Sequence, residues 1–198
     1  MAAGVTKGDE RRTALLAALD HQLRDSTLDE INIADISRRA GVTRSAFYFY
    51  FENKAAAVGA LMTDMYDESF DAAELLGGAG SMHDRIEAAI RTIVLGWGQR
   101  THLWRALLDA RAASMAVRDQ FDSFQDSFVG VVTDLIEAER EAGLAPAGVD
   151  ARSIARALLD LNDRTLERIV RAPEGLDLTL HVDAVVHIWL TAIYGSDA

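Results

Sequence analysis

Four basic side chains, Arg38, Arg39, Arg44 and Lys54, fall within Ile36–Lys54 against a single acid, Glu52. The same stretch, ISRRAGVTRSAFYFYFENK, carries an unbroken aromatic run from Phe47 to Phe51. Guanidinium and ammonium groups neutralise phosphates, and a tyrosine hydroxyl donates to them while its ring packs on neighbours. A basic face mixed with aromatics therefore suits a polyanion. It stands out in a chain whose formal net charge is -11.

The elements that must position these groups are legible around them. FYFYF alone reads as a core strand, but its flanks carry helix signals. Asn32 is placed to cap a short helix ending near Gly41, and Thr43 to cap a second one from Arg44 to Tyr50. Asn53 can then cap a long helix at about 53–75, running through Val58, Leu61, Met62, Met65 and Phe70. Two short helices joined by Gly41-Val42-Thr43 describe a helix-turn-helix. Glycine tolerates the positive φ that ends the first helix, Val42 plugs the space between the two, and Thr43 opens the second. The second helix then presents its N-terminus outward, where free N–H groups and the dipole favour a phosphate. Arg44 and Ser45 point toward whatever that helix enters, and the major groove of DNA admits one helix. On a helix, positions 47–51 sweep more than a full turn, so they cannot all face inward. Phe47 and Phe51, four apart, share a packing face, whereas Tyr48 lies on another.

Charge separates this segment from the rest. Residues 1–54 balance eight basic against eight acidic side chains, while residues 55–198 carry twelve against twenty-three. The bulk of the chain is thus unsuited to non-specific nucleic-acid binding, without excluding a small basic face on one subdomain. At 198 residues, half of them hydrophobic, the chain suits one ordinary domain or a small domain joined to a larger one. The absence of cysteine excludes disulfides, thiolate metal sites and thiol catalysis. No apolar run approaches the roughly 20 residues of a membrane span. MAAGVTKGDERR lacks the apolar centre of a secretory signal, so a cytoplasmic protein with no membrane partner is expected.

Only Pro146 and Pro173 occur, both in turn-like surroundings, which is the composition of an all-helical protein. Leu15, Leu19 and Leu23 mark a first helix at about 9–25, and GGAGS breaks the chain before a helix opened by Ser81 and Asp84. Periodicity runs to Trp97, restarts near His102, and runs again from about Met115 to Gly143. AGLAPAG then leads into 150–171, and APEGLD into a last helix at about 177–194. The expectation is an all-α fold of about nine helices with no strand.

The pattern Ile33-x-x-Ile36-x-x-x-Ala40-Gly41-Val42-Thr43-x-x-x-Phe47-Tyr48-x-Tyr50-Phe51-x-x-Lys54 closely resembles the DNA-binding segment of TetR-family transcriptional regulators. The resemblance extends to the preceding helix and to an all-helical remainder of the right size. It implies a DNA-binding domain at 1–54, with a flexible tail at 1–8, and a ligand-binding and dimerisation domain at 55–198. It also implies that Thr43, Arg44, Ser45, Tyr48, Tyr50 and Lys54 face DNA, while Ile36, Ala40, Val42, Phe47 and Phe51 hold the three-helix unit together. Phe49 departs from the commoner polar residue at its position and is left unassigned.

Further segments, Ala110–Ala112, 136–140, 162–166 and 186–195, resemble an EthR-like subgroup of that family. The subgroup's apolar tunnel, carried over by position, implies ligand contacts at Trp97, Phe121, Phe128, Asn162 and Trp189, with Trp104, Ile86, Ile93 and Phe124 as neighbours. Asn162 either orients a ligand carbonyl or bonds a local backbone group, and aromatics at helical spacing are usually plain core. The last helix, LHVDAVVHIWLTAIY, is apolar around much of its circumference, which suits burial against its own domain and a partner. The resemblance implies a four-helix bundle across a two-fold axis, two recognition helices meeting a palindromic operator, and an apolar small-molecule effector that releases a repressor.

Two rival classes were open. An enzyme would need a Gly-rich phosphate loop, a His pair with a glutamate, or a nucleophile motif, and none is present; no cofactor or metal is expected. The five histidines read as surface or helix-capping residues, and Glu137 and Glu139 as a solvated acidic surface. A helical lipid-carrier or interaction domain without DNA function would use the same apolar interior but leave the basic segment unexplained.

Overall fold

A computed structural model of the chain describes residues 6–171 and 178–195. Among these residues it contains nine α-helices, one short 3₁₀ turn and no strand. The helices are α1 (Lys7–Leu23), α2 (Ile33–Arg39), α3 (Arg44–Tyr50), α4 (Lys54–Ala73), α5 (Met82–Gln99), α6 (Thr101–Ala113), α7 (Met115–Glu141), α8 (Ala151–Arg171) and α9 (Leu178–Tyr194), with the 3₁₀ turn at Glu74–Gly77 after α4. The all-α expectation holds. The APEGLD segment with Pro173, the expected start of the last helix at 177, and residues 1–5 of the expected tail lie outside the described residues.

Local chemistry accounts for most boundaries. Thr6 and Asp9 form a capping box that starts α1 at Lys7, so Thr6, Lys7 and Gly8 belong to a capped first turn. Asn32 Oδ1 accepts from Ala34 N at 2.9 Å, and Asn53 Oδ1 accepts from Ala56 N at 2.9 Å. Ser81 Oγ accepts from Asp84 N at 3.2 Å. Each oxygen satisfies one amide that the first helical turn leaves without an intrahelical acceptor.

The chain divides into two compact units: residues up to Met65 together with Thr101–Phe121, and Tyr66–Arg100 together with the residues from Asp122 on. In the first, α1 packs on α2 and α2 on α3, and α1 also meets α6. Its core takes Leu15, Leu19, Ile36, Phe47, Val58 and Met62 from the N-terminal helices and Trp104 and Leu107 from α6, all at 2% exposure or less. His102 at the start of α6 departs from the surface or capping role expected of it. Its side chain is 12% exposed, and Nε2 lies 2.9 Å from Asp20 Oδ1 on α1. An ionised carboxylate only accepts, so the imidazole nitrogen donates.

In the second unit, α5 packs on α8, α9 and the 3₁₀ turn, and α8 on α9. The solvated surface expected around Glu137 and Glu139 is half right. Glu137 is exposed, but the Glu139 side chain is 13% exposed. It accepts from Tyr194 Oη at 2.9 Å and faces Arg85, whose Nη1 donates to Leu76 O at 2.9 Å. Helix periodicity puts Glu137 and Glu139 on different faces, and only one of those faces is solvent. Burial, and then the Glu139 carboxylate accepting the phenol's proton, both hold the Tyr194 phenol in its neutral form, raising its pKa.

Candidate nucleic-acid interface and apolar ligand residues

Helix α3 has seven residues, too few to hold itself in place. Three local devices aim it. Gly41, at φ +68°, ends α2 in a Schellman turn, with Val42 N donating to Ser37 O at 3.0 Å and Gly41 N to Arg38 O at 3.2 Å. Thr43 caps α3, its Oγ1 accepting from Ala46 N at 3.3 Å. Phe47 is fully buried and packs against Phe51 with ring centroids 5.5 Å apart. Ile36 and Phe51 are buried as expected, whereas Ala40 and Val42 are only half-buried.

With Phe47 inward, Thr43, Arg44, Ser45 and Tyr48 come out on the exposed side. Arg44 Nη2 donates to Tyr48 Oη at 3.2 Å, and its guanidinium carbon sits 5.7 Å from the centre of the Tyr48 ring. The partner is a hydroxyl and not a carboxylate, so this contact orders the guanidinium without compensating its charge. Among the described residues neither Arg39 nor Arg44 has a carboxylate partner, while Arg38 is paired with Asp35. Tyr50 is half-buried, its ring edge-on to Phe49 at 5.0 Å, and its hydroxyl lies beside Gly8 in the first turn of α1.

Lys54 sits differently from the other expected contacts. Its Nζ donates to Leu28 O at 2.6 Å, Ile31 O at 2.8 Å and Asp29 O at 3.2 Å. An ammonium has three donors, and these carbonyls occupy all of them. Lys54 thereby clamps the loop between α1 and α2 to the start of α4. Sequence spacing carries no signal for this, because the carbonyls lie 23 to 26 residues upstream.

Of the expected ligand residues, Trp97, Phe128, Asn162 and Trp189 fall in the second unit and Phe121 in the first. Asn162 lies on the apolar stripe of α8, in register with Ala155, Leu159 and Leu166. Its side-chain oxygen is held by another side chain and not by the local backbone: Trp189 Nε1 on α9 donates to Asn162 Oδ1 at 3.1 Å. Phe128 joins an aromatic group with Phe70 (stacked, 4.6 Å) and Phe124 (5.0 Å), and Tyr66 stacks on Phe124 at 4.1 Å. Tyr66 and Phe70 were missed as members, although both pairs, 66/70 and 124/128, show the i,i+4 spacing of one helix face. Trp97 is 3% exposed and Trp189 2%. Phe121 is buried beside Trp104, with the Arg111 guanidinium 3.7 Å over its ring.

Comparison with known proteins agrees with both halves. Residues 15–61 match the family described as bacterial regulatory proteins, tetR family, and residues 86–195 match the C-terminal domain of the transcriptional regulator EthR. The HTH-type transcriptional regulator EthR of Mycobacterium tuberculosis is 31% identical over 194 residues, covering 96% of this chain and 90% of its own length. Among solved structures, FadR of Bacillus subtilis in complex with stearoyl-CoA superposes with a TM-score of 0.75 at 16% identity, covering 92% of this chain and 98% of that one. NalD, the secondary repressor of the MexAB-OprM multidrug efflux pump in Pseudomonas aeruginosa, superposes with a TM-score of 0.74 at 17% identity, covering 98% of this chain and 100% of its own. At these identities the two structures speak for the fold. The sequence matches speak for descent, and this chain belongs to the TetR family of DNA-binding transcriptional regulators, as an EthR-like member.

Proposed function

We propose that the protein is a homodimeric repressor that leaves a palindromic operator when an apolar small molecule enters its C-terminal helices. The observation that carries the DNA half is the exposed Arg44–Tyr48 pair beside buried Phe47 on α3. It offers an ordered, uncompensated positive charge beside a phenol, on a helix narrow enough for the major groove. Thr43, Ser45 and Tyr50 extend the same surface, and Lys54 acts on DNA by holding the loop before α2 in place. For the dimer, α9 buries Val182, Val185, Val186, Trp189 and Ile193 but leaves Ala184, Ile188 and Ala192 exposed at i,i+4 spacing. An exposed apolar stripe opposite a buried one suits a second copy packed about a two-fold axis.

The effector reading rests on Trp97, Phe128, Asn162 and Trp189 in the second unit. Because Trp189 holds Asn162 Oδ1, the amide is fixed in one orientation, with its N–H pair as the group suited to a ligand carbonyl. That FadR carries a long acyl chain in the same fold supports an effector of apolar, acyl-like character. Such a ligand acts only through its differential affinity for the DNA-competent and DNA-incompetent states. The protein acts in the cytoplasm, where its DNA lies.

The test is binding of purified protein to the DNA upstream of its own gene across a salt series. Two chains per site and a steep salt dependence are expected, with Arg44→Ala flattening the slope by about one unit. Binding insensitive to both salt and Arg44→Ala, or one chain per site, rules the reading out.

A further inference from the structure

Phe49 is 82% exposed, the largest exposure among the bulky apolar side chains of the protein's described residues. A phenylalanine so placed on a three-helix unit is a cost in water unless something covers it. Helix geometry says what it points at. Counting about 100° per residue from Phe47, which faces the core, Phe49 lies at roughly 200° and Ser45 at roughly 160°. These two straddle the direction opposite the core. Arg44 and Tyr48 fall together on one flank, and Ala46 and Tyr50 on the other. A helix docked by its exposed side sets its flanks against the backbones and its apex against the base edges.

The apex side chain has no hydrogen-bonding group, and the stretch Ile36–Phe51 that carries it holds three arginines and no acid. A partner for this spot must be negatively charged around an apolar feature. In the major groove the base edges present one such feature, the thymine C5 methyl. The edge-on contact with Tyr50 at 5.0 Å restrains the ring before any partner arrives. We propose that Phe49 is the specificity-determining residue of α3, reading a thymine methyl in each operator half-site, while Arg44 and Tyr48 hold the phosphates. The inference rests on the DNA-binding reading above and adds a sequence preference to it.

The probe is a duplex selected by the wild-type protein from a random-sequence pool, resynthesised with uracil replacing one thymine at a time. Uracil pairs as thymine does and lacks only the methyl. The wild type is expected to lose about three- to fivefold in affinity at one symmetric pair of thymines, the scale of one buried methyl group. Phe49→Ala binds the parent duplex more weakly and no longer distinguishes uracil from thymine there. Phe49→Leu retains part of the discrimination, and Arg44→Ala weakens binding but keeps the uracil penalty. A selected duplex with no uracil-sensitive thymine overturns this inference and leaves the regulator reading standing, as does a penalty that survives Phe49→Ala. A protein that selects no duplex at all overturns both.

Discussion

Trp189 on α9 donates its indole proton to the side-chain oxygen of Asn162 on α8 across 3.1 Å. Trp189 is buried and Asn162 half-buried, and out of water an unmade hydrogen bond costs more than a made one contributes. Asn162→Ala and Trp189→Phe should therefore each lower unfolding stability by about 1–2 kcal/mol in urea. The double variant should cost less than the sum by about 1 kcal/mol, the coupling expected of direct partners. Strict additivity would mean that the two side chains do not act on each other.

Arg44 and Lys54 belong to the same basic segment, but their surroundings separate their roles. Arg44 is exposed, so Arg44→Ala should leave stability within about 0.5 kcal/mol and act on DNA alone. Lys54→Met removes a charged donor from three carbonyls and should cost about 2–3 kcal/mol. Chemical unfolding set beside the salt slope of DNA binding separates the two. A stable Lys54→Met protein with a flattened slope would reassign Lys54 from clamp to phosphate contact.

These cases show where the sequence was readable and where it was not. The caps at Asn32, Thr43 and Asn53 and the turn at Gly41 act over two to five residues, so their signals are written beside the elements they start or stop. The inward placing of Phe47 and Phe51 follows from a four-residue spacing. By contrast His102 meets Asp20 across 82 residues, and Tyr194 meets Glu139 across 55. Nothing in a helical period distinguishes a polar face that meets solvent from one that meets another helix. Phe49 was ambiguous for a related reason: its type says core and its angle says surface, and only the fixed position of Phe47 decides between them.

The Asp20–His102 contact makes a prediction about acid. Burial raises the Asp20 carboxyl pKa, but bonds from His102 and Arg24 outweigh it, and the net shift is downward from the ordinary 3.8. A carboxyl depressed in the folded state contributes stability above its unfolded pKa, and that contribution is lost as pH falls through the folded value. Asp20→Asn should thus cost about 1 kcal/mol near pH 7, with the gap to wild type closing below about pH 4. Urea unfolding of both proteins at a series of pH values reads this directly. A gap that persists unchanged in acid would show that the side chain matters for shape rather than for charge.

Gly41 provides a case in which space and backbone disagree. A Cβ there meets nothing within 4 Å, so sterics from neighbours would allow an alanine. Its φ of +68° lies in the left-handed region, which costs a non-glycine residue about 1–2 kcal/mol. Asparagine tolerates this region better than alanine, because its short side chain bonds the local backbone. Stability should therefore fall in the order glycine, asparagine, alanine, with Gly41→Ala lowered by about 1–2 kcal/mol. Since the turn sets the angle of α3 to α2, Gly41→Ala should also weaken DNA binding while leaving the salt slope of the folded fraction unchanged, because no phosphate contact is removed. An alanine variant as stable as the parent would mean that α2 does not end in this turn, and the aiming of Arg44, Ser45 and Phe49 would need another cause.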